Sequence, residues 1–284
     1  MIYLVVGYCN SSNRERHMVT IQTPAVAGRF YPEDARLLRQ TVEALMAPFP
    51  DAGTDPPKAI ILPHAGYKFS GAVAAAGAAR LGPGITRVVI LGPAHHHRFR
   101  GVALPDADAL STPLGHIPID ESANWLIDDP EVNVVAGAYE NEHSIEVELP
   151  FLQVRLGAFS VLPLIVGEIA PAHLSGLIEK LWGGPETLIV ISTDLTHFLT
   201  ADRASRIDAR TAAKIETSDP DGLTGREACG VVPLGAFLSV AGRKGLRMTR
   251  LALTHSGTVT GDRSRVVGYG AWMAQEPGAI CLGP

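Results

Sequence analysis

Three short apolar runs in this 284-residue sequence end in residues that can do chemistry. Residues 58–62 lead into His64, residues 87–91 into His95, His96 and His97, and residues 187–191 into Asp194 and His197. A neutral imidazole is a metal ligand and carries protons near neutral pH, and a carboxylate beside it orients it or joins it. Continuous apolar runs of this length suit strands covered on both faces. Open α/β sheets bind ligands at the carboxyl edge of such strands. One histidine there reads as a polar loop residue, but three separate strand ends point to a shared site. Adjacent side chains diverge, so position alone does not choose among His95, His96 and His97.

Two further groups have less context. His143 and Glu146 are three residues apart, which in a helix puts them on one face. A carboxylate there can orient the imidazole or share in proton transfer. On spacing alone, however, they read first as a helix start whose acidic residues favour the dipole. Cys229 precedes Gly230-Val231-Val232-Pro233 and a predicted helix start, a location that lowers a thiol's pKa and suits a ligand or nucleophile. The competing reading is a small buried apolar residue. Cys9 and Cys281 lie in terminal segments and are expected to do no chemistry.

The elements that must position these residues alternate. A further buried strand is predicted over 160–166, and two mixed-pattern strands over 247–254 and 265–274. Helices are predicted over 33–47, 71–81, 122–127, 171–182, 202–217 and 234–241. Another is predicted over 143–156, with Pro150 kinking or dividing it. Strands alternating with helices imply an α/β layered sheet in a single domain. Its bounds are placed at 23–276, with residues 1–22 an N-terminal tail and 277–284 a C-terminal one.

Composition removes whole classes. With 46% hydrophobic and 19% charged residues the chain is not disordered. A net charge of −5 gives no electrostatic reason to expect nucleic acid. Three scattered cysteines fit a reduced compartment, and no apolar run approaches a membrane span. A cytoplasmic protein is expected. The absence of G-x-x-x-x-G-K-[ST], H-E-x-x-H, C-x-x-C and G-x-S-x-G argues against P-loop, zincin, thioredoxin-like and α/β-hydrolase chemistry.

Five ordered motifs carry a resemblance. Pro63-His64-Ala65-Gly66-Tyr67, Leu91-Gly92-Pro93-Ala94-His95-His96, Glu142-His143-Ser144-Ile145-Glu146, Ser192-Thr193-Asp194-Leu195-Thr196-His197 and Cys229-Gly230 resemble those of the Memo family. Its microbial members are called AmmeMemoRadiSam system protein B. Ala27-Gly28-Arg29-Phe30-Tyr31 and Ser111-Thr112-Pro113-Leu114-Gly115 resemble two further stretches. The resemblance implies a fold similar to the class III extradiol (LigB-like) dioxygenases, with helices on both faces of the sheet. It puts His64, His95 and Cys229 on the family's metal positions, and so selects His95 from the triplet. Asp194 and His197 fall on its acid-and-histidine pair, His197 matching an acid/base histidine.

A thiolate in place of the ring-cleaving enzymes' carboxylate shifts preference toward softer ions while still permitting iron. The expectation is a non-heme Fe(II) dioxygenase-like enzyme acting on a small molecule, with Cu or Zn as alternative metals. His197, Asp194 and His143 are its candidate catalytic residues, and Phe30, Tyr67 and Glu146 its pocket. The rival expectations are a non-catalytic metal- or peptide-binding protein and a Zn-dependent hydrolase. The microbial name also implies a functional link to radical SAM and AMMECR-type proteins.

Overall fold

The apolar runs lie side by side in a computed structural model of the chain, which describes residues 2–4, 19–49 and 56–278. β3 (Ala59–Leu62), β10 (Thr187–Ser192), β4 (Arg87–Pro93) and β9 (Ser160–Val166) pair in that order, all parallel. Their carboxyl ends therefore share one edge. β13 (Val266–Gln275) runs antiparallel beside β3, and pairs in turn with β12 (Arg247–His255) and with the short β11 (His197–Leu199). Beyond β9 the sheet is extended by β5 (Val102–Leu104) and β8 (Val132–Val134).

Alternate residues of the central strands enter different cores, as the period of two requires. Ile61, Val89, Leu91, Ile189 and Ile191 pack with Leu174 and Leu177 of α4 (Pro171–Lys180) and with Phe237 and Leu238 of α6 (Val231–Lys244). Ile60, Leu62, Val88, Ile90 and Val190 pack with Val73 of α2 (Tyr67–Ala78) and with Leu149 and Leu152 of α3 (Leu149–Leu156). Helices thus cover both faces, and for this reason the interiors of these strands are apolar, with polar residues only at their ends. α1 (Ala35–Met46), capped by Asp34 accepting from the Leu37 N–H, adds Leu38 and Val42 to a further core with Tyr67 and Phe151. α5 (Ala201–Glu216) follows β11. Among the described residues no helix is long and apolar enough to cross a membrane.

Several boundaries need correction. β2 (Val19–Gln22) pairs in parallel with β6 (Ala109–Thr112), which forms a hairpin with β7 (Gly115–Pro118). It also pairs with β1 (Ile2–Leu4). A tail over 1–22 therefore cuts through a strand, because Ile21 is buried. Residues 5–18 and 279–284, with Cys9 and Cys281, lie outside the described residues. The helix expected from residue 143 begins later. A 3-10 turn spans Glu146–Glu148 and α3 follows, with Pro150 in its first turn rather than at a kink. The stretch expected over 122–127 is a 3-10 helix, Glu121–Asp128.

Candidate metal centre

Past the end of β3, His64 is buried at 1% exposure. Its ring Nδ1 lies 2.7 Å from Ser192 Oγ, and the Ser192 hydroxyl donates to the Ser144 carbonyl. Serine has one proton, and a carbonyl only accepts. His64 therefore donates from Nδ1 and keeps a lone pair on Nε2. Past the end of β4, His95 meets Glu142, with Nδ1 at 2.9 Å from Oε1 and its backbone N–H donating to Oε2 at 2.6 Å. The same carboxylate accepts from the N–H groups of His143 and Ser144. Burial alone would raise the pKa of Glu142, but these donors hold it well below the usual carboxylate range. An ionised Glu142 can only accept, so His95 Nδ1 carries the proton and donates it in the hydrogen bond, and His95 also presents a bare Nε2. This carboxylate-behind-imidazole arrangement orients metal-binding histidines and strengthens them as donors.

His143 completes the group. Its ring stacks on His95 at 4.6 Å between centroids, and the His64 ring stands 5.5 Å away. Ligand atoms of His64, His95 and His143 lie within 4.8 Å of one another. Two atoms bound to one ion at ~2.1 Å are at most about 4.2 Å apart, so the three need only modest closure. Burial lowers the pKa of His64 well below its ordinary value and pushes His143 down to about 4, burial acting first and neighbouring imidazoles next.

Cys229 Sγ lies 3.3 Å from His64 Nε2. Thr193 Oγ1 accepts from the Gly230 N–H and the Asp194 N–H points at the sulfur, which ties the start of α6 to the end of β10. The expected helix-start effect on the thiol does not prevail. Burial first, and the Asp194 carboxylate next, push Cys229 up to about 12. Asp194 itself accepts from the His64 N–H at 2.9 Å, and burial raises it to about 7 against the pull of that bond. His197 donates Nδ1–H to the Leu195 carbonyl at 2.8 Å, which leaves Nε2 as its acceptor, and burial lowers its pKa.

The close approach at Gly230 gives a first prediction. A Cβ there would lie 2.8 Å from both the Ser192 carbonyl oxygen and Thr193 Cβ. Gly230→Ala should cost about 1–3 kcal/mol, the usual cost of overpacking, and should weaken metal binding by moving Cys229 off His64. Urea unfolding and metal titration check both effects.

His197 is aimed by a strained neighbour. Phe198 has φ +61° and its side chain is 60% exposed, with the Arg265 guanidinium over the ring at 4.4 Å. The register of β11 shifts between His197 and Leu199, so the bulge throws Phe198 outward while His197 turns in. A branched side chain fits this backbone worst. Phe198→Val should be less stable than Phe198→Gly by about 1–3 kcal/mol, measured from urea midpoints.

Two of the three pocket expectations change. Glu146 does not pair with His143. Its carboxylate accepts from the N–H groups of Ala25 and Val26 and from Tyr31 Oη, tying the 25–31 segment to the fold. No helix runs through 143–146 to bring the two side chains to one face. Tyr67 is buried in the core and donates to the Val147 carbonyl. Phe30 does reach the site, its ring 4.9 Å from that of His143.

Glu142, Ser192 and Ser144 hold the site without having been singled out from sequence. Glu142 stood inside the Glu-His-Ser stretch, and its place directly before His143 was the available signal. Glu148 was also missed. It is fully buried, Oε1 lies 3.4 Å from Ser192 Oγ, and Oε2 has no partner among the described residues. Burial, helped by Asp194, holds its pKa well above the usual range.

The profile described as Memo-like protein matches residues 22–273. The chain belongs to the Memo family. Curated members named MEMO1 family protein are similar to it along nearly their whole length. That of Methanobrevibacter smithii is 32% identical over 88% of this chain and 98% of its own. That of Aquifex aeolicus is 33% identical over 88% and 97%. That of Methanopyrus kandleri is 35% identical over 88% and 97%. A solved structure, uncharacterized protein JW3007 from Escherichia coli, aligns with a TM-score of 0.45 at 12% identity, over 90% of this chain and 99% of that one.

Proposed function

We propose that this Memo-family protein is a cytoplasmic, Fe(II)-dependent oxidoreductase of dioxygenase-like type acting on a small molecule. The observation that carries the reading is the convergence of His64, His95 and His143, two of them with Nδ1 committed to a partner and Nε2 left bare. The donor set fits a first-row metal ion. His64 and His95, with Cys229 beside them, would hold the ion, and His143 is the fourth donor at the same spot. When bound, Fe(II) would supply a Lewis acid and a redox-active centre between O2 and the substrate, whose own electrons reduce the O2. Glu142 and Ser192 keep the two imidazoles in the ligating tautomer. His197, whose Nε2 is a free base, accepts a proton from a substrate hydroxyl and returns it to product. Asp194 fixes the His64 backbone, and Phe30 excludes water on the His143 side.

Metal analysis of protein purified without oxygen tests this reading. The expected result is about one iron per chain and a high-spin iron–nitrosyl EPR signal on adding nitric oxide. Zinc or copper alone, with no nitrosyl signal after iron reconstitution, would favour the hydrolase or the binding protein, since a thiolate also suits those ions.

A further inference from the structure

A second cleft opens beside His197. It measures about 510 Å³ and is walled by His197, Leu199, Arg203, Ile207, Arg226 and Glu227. One wall is the start of α5, where Arg203 and Ile207 are one turn apart. The other is the segment that runs three residues later into Cys229. The cleft is thus built on the two chain segments that carry His197 and the thiol.

Arg203 and Arg226 are exposed, and neither makes an ion pair or a hydrogen bond through its guanidinium among the described residues. Some other arginines have acidic partners, Arg87 with Asp120, Arg243 with Glu179, Arg250 with Glu216 and Arg263 with Asp202, whereas these two face one cleft with their guanidiniums free among the described residues. Glu227 is the acid in the cleft, and its Oε2 is already engaged by the Thr224 N–H and hydroxyl. Two guanidiniums against one carboxylate make the cleft cationic in a chain of net charge −5. Guanidinium forks match carboxylate and phosphate oxygens. Leu199 and Ile207 offer an apolar wall, and the volume lies within the usual range for small-molecule sites.

We infer that Arg203 and Arg226 bind an anionic group of the substrate, a carboxylate or a phosphate, and so deliver the rest of that molecule to His197. The inference rests on the reading of His197 as part of the reactive centre and names its substrate class. A neutral molecule would leave both guanidiniums unmatched.

The test uses the full chain with ¹⁵N-labelled histidine, titrated with acetate, inorganic phosphate and neutral acetamide at constant ionic strength set by sodium chloride. The two anions should shift the His197 imidazole resonances saturably, and acetamide should not. Arg203→Gln and Arg226→Gln should each weaken anion binding several-fold, and the double variant at least tenfold, with iron content unchanged. Tighter binding of phosphate assigns a phosphate ester, and tighter binding of acetate a carboxylate. No saturable shift with either anion, equal shifts with acetamide, or unchanged affinity in the double variant overturns the inference. Iron content in the same samples separates that failure from failure of the metal reading, which His64→Ala tests by itself.

Discussion

Alanine at His64 or His95 should abolish tight iron binding, whereas alanine at His197 should leave it intact. Each of the first two removes a neutral imidazole whose Nδ1 is already committed, to Ser192 or to Glu142, so the ligating Nε2 is lost with no replacement at the same spot. Affinity should fall by well over the roughly 10–100-fold that follows loss of an outer partner. Glu142→Gln is such a loss, because an amide cannot match the carboxylate that accepts from His95, His143 and Ser144 at once. It should fall inside that range. His197→Ala should keep its metal while turnover drops by roughly 10²–10⁴.

The remaining contrast is between Cys229 and His143. His143→Ala and Cys229→Ala each delete one candidate third ligand, and the larger loss identifies it. Cys229→Asp supplies a hard donor in place of sulfur and should shift preference toward Fe(II) over Zn or Cu(I). Anaerobic iron titrations of these variants decide the matter. Equal metal loss in His197→Ala and His64→Ala would make His197 a ligand and remove it from proton transfer.

What the sequence revealed and what it hid follow from the same physics. The strands were legible because both faces are covered, so residues such as Ile60 and Ile61 are apolar alike even though they enter different cores. Three strand ends then had to share an edge, which brought His64, the 95–97 histidines and Asp194 into view, and the family resemblance selected His95 from the triplet. The 142–148 segment was not legible. Its backbone follows no period, and its direction is set by distant acceptors and donors, Glu142 toward His95 and Glu146 toward Ala25 and Tyr31. A helical period imposed on it paired His143 with the wrong carboxylate. Tyr67, expected as a pocket wall, opens α2 instead, and its ring packs inward against Phe151. The thiol failed for a different reason. A position before a helix says nothing about solvent, and at Cys229 burial outweighs the helix.

The share of stability that metal-free protein owes to Asp194 should be lost as pH rises from about 4 to about 7, and Asp194→Asn should abolish that loss. Burial raises Asp194 from 3.8 to about 7 in the folded chain. Between those values the unfolded chain has already released this proton and the folded chain still holds it. The unfolded state then binds fewer protons, so unfolding becomes easier as pH increases. The shift of about 3 units corresponds to roughly 4 kcal/mol at pH 7, taking about 1.4 kcal/mol per unit. Glu148 acts in the same direction, since burial raises it too. The histidines act in the opposite one. His143, pushed down to about 4, stays neutral in the fold while its unfolded counterpart is protonated below 6.5, so its contribution is lost as pH falls through that window. Comparing wild type with Asp194→Asn at each pH cancels the histidine part. Asparagine matches the protonated acid in charge and keeps an oxygen to accept from the His64 N–H. Urea unfolding in the presence of a chelator should show the two proteins nearly equal at pH 4 and the variant increasingly more stable toward pH 7. A difference that stays flat across this range would mean that Asp194 is ionised in the fold throughout, held by the His64 and Ala65 N–H groups against the cost of its burial.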